Sequence, residues 1–132
     1  MFELASQIER GSEFVADLPL SQLRLLNDKR FPWLLLIPRR AGVAELIDLQ
    51  EEDAVQLMHE IRQVSGILRK DVACDKINVA ALGNKVRQLH VHIIARIETD
   101  AAWPGAVWDK GEAIPYHPDA LQSHLAALRS AV

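Results

Sequence analysis

One cysteine, Cys74, is all the thiol chemistry the chain carries, which excludes an internal disulfide and leaves no CxxC pair to hold a structural metal. Basic charge is not in excess. Against 15 Lys and Arg stand 18 Asp and Glu, a net charge of -3, so there is no global electrostatic footprint for nucleic acid, and a polyanion site has to be local. No apolar stretch approaches the roughly 20 residues of a membrane span. Met1 to Leu18 sets Glu3, Glu9, Arg10, Glu13 and Asp17 among its apolar residues, unlike the uninterrupted apolar segment of a signal peptide. A reducing cytoplasm is the location these absences fit. What remains is 132 residues, 49% hydrophobic and 25% charged, enough for one domain over 1–132 with a substantial core.

Turns and periodicities divide that domain. Phe2, Leu4, Ala5 and Ile8 recur at helical spacing and stop before Gly11, which predicts a short opening helix. Ser12 to Ala16 and Ser21 to Asn27 read as strands, the second because Leu23 and Leu25 alternate with Gln22 and Arg24. Trp33-Leu34-Leu35-Leu36-Ile37 is a continuous apolar run closed by Pro38, the pattern of a central strand covered on both faces. The basic pair Arg39-Arg40 follows, for solvent or for phosphate. Asp48 with Glu51 three residues on has the form of a capping box. Ala54, Leu57, Met58, Ile61, Val64 and Leu68 then make an apolar stripe, predicting one long helix from about Gln50 to Val72. His59, beside Met58, reads as a structural residue on or near its packing face.

Lys76 to Leu82 alternates as a further strand and ends at the turn Gly83-Asn84. Trp103-Pro104-Gly105-Ala106-Val107-Trp108 is a loop, either a cover for a sheet edge or dimer contact, or a base-stacking, gating loop. Pro118 opens a last helix whose stripe is Leu121, Leu125 and Leu128, with His124 on its surface. Strands on both sides of one long helix specify an α+β domain with an antiparallel sheet.

The chemistry concentrates in Gln88-Leu89-His90-Val91-His92-Ile93-Ile94-Ala95-Arg96. In an extended strand Leu89, Val91 and Ile93 share one face, and Gln88, His90 and His92 share the other. Three readings fit two histidines at i, i+2. They can be the wet face of a half-exposed strand. They can be two ligands of a metal-dependent hydrolase, although zinc needs a third, and His59, His117 and His124 show no ligand-like spacing to the pair. Or one neutral imidazole attacks an electrophile while its neighbour handles a hydrogen bond or proton, chemistry that an imidazole supports at pH 7 without extreme tuning.

The stretch from Gly83-Asn84 through Gln88-Leu89-His90-Val91-His92-Ile93-Ile94 resembles the signature strand of the histidine triad (HIT) superfamily, His-φ-His-φ-His-φ-φ with φ apolar. His90 falls on the middle histidine, His92 on the third, and Gln88 takes the place of the first. Leu23 to Asn27, Pro32 to Arg39 and Leu46 to Leu49 are also similar to family landmarks, so the resemblance runs from about Leu20 to Trp108. It implies an open antiparallel sheet of about five strands with one long helix and a C-terminal helix, two protomers joined as a homodimer, and a nucleotide as substrate. It implies hydrolysis of nucleoside phosphoramidates or dinucleoside polyphosphates through a nucleotidyl-histidine on His90, a scheme that requires no metal or other cofactor, while the net charge and the lack of a span-length apolar run make neither nucleic acid nor membrane an expected partner. His90 is then the nucleophile, its other ring nitrogen donating to the Gln88 carbonyl. His92 is a donor to phosphate or leaving group, and Asn84 and Gln88 are amide donors. Asn27 contacts the ribose, and Arg96 adds positive charge. The substitution at Gln88 keeps a rival in view, a nucleotide sensor or interaction module that does not turn over.

Overall fold

All six residues of β3, Trp33–Pro38, are buried, as an uninterrupted apolar run requires, and the sheet is built around it. The computed structural model describes residues 1–132. Its remaining elements are α1 (Ser6–Gly11), β1 (Ser12–Asp17), β2 (Ser21–Leu26), α2 (Glu51–Asp71), β4 (Lys76–Ala80), β5 (Val91–Arg96) and α3 (Pro118–Ala131). The five strands run in the order β1-β2-β3-β5-β4, every pair antiparallel. The α+β class, the five strands and both long helices follow the sequence reading. No helix is long and apolar enough to cross a membrane.

Strand parity sorts the side chains into two cores. Leu23, Leu25, Leu34, Leu36, Val91, Ile93 and Ala95 face Leu57, Val64 and Leu68 of α2 and Leu121, Leu125 and Leu128 of α3. On the opposite face Trp33, Leu35, Ile37 and Ile94 pack with Ile8, Phe31, Ala102 and Val107, and Phe2, Leu4, Ala5 and Trp108 close over them. The Trp103–Trp108 loop and the N-terminal segment thus roof the face that carries the histidines.

Three local expectations change. The opening helix is only Ser6–Gly11. Met1–Ala5 is not helical, because the Gln88 amide holds it from both sides: Ala5 N donates to Gln88 Oε1 at 2.8 Å, and Gln88 Nε2 donates to the Glu3 carbonyl at 2.8 Å. Asp48 does not cap α2. Its carboxylate accepts from the backbone N–H of Ala44 and Glu45, fixing a 3-10 turn over Leu46–Asp48, and α2 starts after Gln50 without a side-chain cap. The buried stripe of α2 is rotated to Leu57, Glu60, Val64 and Leu68, leaving Ala54, Met58 and His59 exposed. Glu60, fully buried, explains the rotation. Its carboxylate accepts from Leu20 N at 2.7 Å and Ser21 N at 3.0 Å, satisfying two N–H groups at the β1–β2 turn that would be costly to bury unpaired.

Candidate active site

β5 places His92, Ile94 and Arg96 on the roofed face, and His90 enters just ahead of the strand. His90 and His92 are 9% and 8% exposed, with ring centroids 4.9 Å apart. His90 Nδ1 lies 2.6 Å from the Gln88 carbonyl. A carbonyl only accepts, so Nδ1 carries the proton and Nε2 keeps a free lone pair. His92 is held the other way round. Its Nδ1 accepts from the Trp33 indole N–H at 2.9 Å, so the neutral ring carries its proton on Nε2. Trp33 pairs with Ile94, and Leu35 pairs with His92, which makes Trp33 the diagonal neighbour of His92 on the same face, within reach of an aromatic side chain.

A cavity of about 310 Å³ opens in front of the two imidazoles, lined by Leu82, Gly83, Asn84, Lys85, Val86, His90, His92, Trp108 and Asp109. Its size lies at the lower end of small-molecule sites. Grooves of about 570 and 480 Å³ run along α2, but neither contains a histidine or cysteine, so chemistry and not size selects the smaller cavity. Gly83 turns the chain into it at φ 66°, a left-handed conformation that glycine adopts without strain. Trp108 stands over His92, ring centroids 5.3 Å apart. Nowhere do three or more His, Cys, Asp or Glu side chains converge as the ligand set of a metal.

A family model described as "HIT domain" matches residues 7–99, well over half of the chain. The chain belongs to the HIT family. Solved structures of the same family superpose on it almost throughout. A histidine triad protein from Bradyrhizobium japonicum is 45% identical with a TM-score of 0.96, covering 99% of this chain and 98% of that one. One from Sinorhizobium meliloti is 42% identical at a TM-score of 0.96, over 99% and 97% of the two chains. One from Marinobacter aquaeolei is 37% identical at a TM-score of 0.96, over 99% and 96%. No curated protein matches the sequence at a significant level.

Of the residues singled out in the sequence, this HIT protein brings His90, His92 and Asn84 to one cavity. Gln88 reaches it only through its backbone carbonyl, since both ends of its amide are spent on the N-terminal segment. Arg96 is not a free cation for phosphate. Four of the five N–H donors of its guanidinium go to Asp100 Oδ1 and Oδ2, Asn78 Oδ1 and the Gly105 carbonyl. Asn27 does not line the cavity, and its Oδ1 accepts from Tyr116 N at 2.9 Å, which ties the C-terminal segment to the end of β2. Arg39 and Arg40 are engaged by Asp17 and Asp53. Sequence reasoning missed Trp33, Lys85 and Asp109 as neighbours of the histidines, whereas Trp108 belongs to the loop for which base stacking was one of the two readings. For Trp33 the only available signal was an aromatic with an N–H inside an otherwise aliphatic strand.

Burial, and secondarily the proximity of His90, push the His92 imidazole down to about 4. An unfolded histidine titrates near 6.5, so the unfolded chain binds the extra proton first, and acid favours unfolding in the window between the two values. Native stability is expected to fall by about 2 kcal/mol from pH 7 to pH 5 through this residue alone. Urea unfolding of wild type and His92→Gln at both pH values reads it as the difference between the two slopes; parallel curves would remove the assignment.

Proposed function

We propose that this HIT protein is a cytoplasmic nucleotide hydrolase that cleaves nucleoside phosphoramidates or dinucleoside polyphosphates through a covalent nucleotidyl-His90. The observation that carries this reading is the His90 ring, with Nδ1 anchored on the Gln88 carbonyl at 2.6 Å and the imidazole lining a ligand-sized cavity. Nε2 attacks the α-phosphorus and the bond to the leaving group breaks. The positive charge that the nucleotidylated imidazolium acquires is met by the Nδ1–H···O=C bond. Water then attacks phosphorus and yields a proton to solvent, the P–N bond returns its electron pair to Nε2, and a nucleoside monophosphate leaves. Dividing one displacement into two is the advantage of covalent catalysis. Asn84, Lys85 and His92 surround the same cavity and supply the donors and positive charge that a phosphoryl group in transfer requires. Trp108 offers an aromatic face to a nucleobase. The proposed assembly is an isologous pair, the commonest symmetric arrangement. Its support is the open edge strand β4 and the exposed apolar side chains of Val79 and Met58.

Incubation with adenosine phosphoramidate and with a dinucleoside polyphosphate, quenched on the millisecond scale, is expected to give AMP and a transient mass increase of one adenylyl group on His90. Tight AMP binding with no product from any substrate would instead establish the sensor reading. Steady turnover with no adduct would remove the covalent step.

A further inference from the structure

We propose that Trp33 fixes His92 as a neutral imidazole protonated on Nε2, a hydrogen-bond donor that cannot serve as a proton carrier, and that the site therefore selects leaving groups that depart as stable anions. The inference rests on the nucleotidyl-transfer reading above and narrows its substrate class. An indole N–H only donates, so the 2.9 Å bond to His92 Nδ1 dictates where the imidazole proton sits. Trp33 is 7% exposed and packed edge-on against Phe31 and Trp108, so the donor cannot swing away. Protonating Nδ1 would break that bond and place a cation among Trp33, Trp108 and His90, 4.9 to 5.6 Å from His92. The depressed titration of His92 agrees.

The consequence concerns the bond that breaks. When His90 Nε2 forms the N–P bond, the electron pair of the scissile bond moves to the leaving atom. A phosphate or polyphosphate oxygen holds that pair as a stable anion and needs no proton. An alkylamine does not, and leaves only after nitrogen has been protonated. No ring in the site supplies that proton. The His90 Nδ1–H is committed to the Gln88 carbonyl, and His92 giving up its Nε2–H would become an imidazolate. Gln88, at the remaining motif position, carries no titratable proton and is spent on Glu3 and Ala5. The other ionisable groups at the cavity are Lys85 and Asp109, both exposed. The ammonium of Lys85 suits the departing polyphosphate as a counter-charge. Trp33 is thus a positioning residue, and the favoured substrates are phosphoanhydrides.

Two measurements test this. In protein labelled with 15N-histidine, two-bond nitrogen–proton correlation at pH 7 is expected to show His92 as the pure Nε2–H tautomer, and in Trp33→Phe a mixture of tautomers whose titration midpoint has moved up. An Nδ1–H tautomer or an imidazolium in the wild type overturns the proposal, and this readout requires neither the variant nor turnover. In parallel, kcat/KM for a dinucleoside polyphosphate is expected to exceed that for an N-alkyl adenosine phosphoramidate by at least about 100-fold, the lower range of what general acid catalysis contributes. Trp33→Phe lowers kcat on the anhydride about tenfold with KM within twofold, the signature of one lost orienting hydrogen bond. Equal or better use of the amine substrate overturns leaving-group selection, with Lys85 the proton source. Failure to turn over either substrate overturns the hydrolase reading, while the tautomer still decides the role of Trp33.

Discussion

His90→Ala is expected to lower kcat/KM on any substrate of this protein on the order of 10³-fold or more, the scale of losing a nucleophile whose function the remaining groups cannot replace. The fold should survive. His90 precedes β5 and faces a cavity, its one hydrogen bond going to the carbonyl two residues back, so truncation enlarges existing space without creating a sealed void in either core. Nucleotide affinity, followed by the fluorescence of Trp108 above the site, is expected to stay within a few-fold of wild type, because Lys85, Asn84 and His92 remain in place. That separation of kcat from binding distinguishes a nucleophile from a residue that merely shapes the pocket. A His90→Ala protein that keeps a tenth of wild-type activity would exclude the covalent route.

What could be read from the chain and what could not divides along the range of the interactions. Alternation through Leu89, Val91 and Ile93, the uninterrupted Trp33–Ile37 run and the apolar stripe before Val72 are local patterns that report burial, and they located β5, β3 and α2 to within a few residues. Positions 88 and 96 share strand parity with the histidines, yet parity says nothing about which groups claim their side chains, more than 80 residues away for Gln88 and 4 to 18 away for Arg96. The Gln88 amide is claimed by Glu3 and Ala5, and the Arg96 guanidinium by Asn78, Asp100 and Gly105. Glu60 is the same lesson inside a helix. The apolar stripe read from the sequence does not include it, whereas two backbone N–H groups about 40 residues away draw it into the core. Trp33 was legible as core and illegible as a donor, since its partner His92 lies on a strand that sequence alone does not put beside β3.

Arg96→Met is expected to destabilise the protein by about 3–5 kcal/mol, the cost of breaking a buried ion pair from one side. The side chains of Arg96 and Asp100 are 2% and 4% exposed and joined at 2.7 Å. Asp100 also accepts from the backbone of Ala102 and Trp103, so this pair sets the course of the chain from β5 into the loop that roofs the histidines. The bond to Arg96, reinforced by the backbone donors of Ala102, Trp103 and Ile97, holds the Asp100 carboxyl down to about 2. A depressed carboxyl stabilises the fold fully above its unfolded value near 3.9 and loses that contribution as pH falls toward 2. Acid unfolding of the wild type should therefore show a component in that window which Asp100→Asn lacks. Arg96→Met with Asp100→Asn should recover part of the loss of the single variant, because the stranded charge has gone, and their coupling in urea denaturation measures the pair. Activity per folded molecule is the discriminating readout. A guanidinium bound to phosphate would take KM with it when replaced, whereas one that holds the loop from behind lowers stability first, and a folded Arg96→Met protein should keep its KM within a few-fold. A stability loss below 1 kcal/mol together with a tenfold rise in KM would return Arg96 to the substrate.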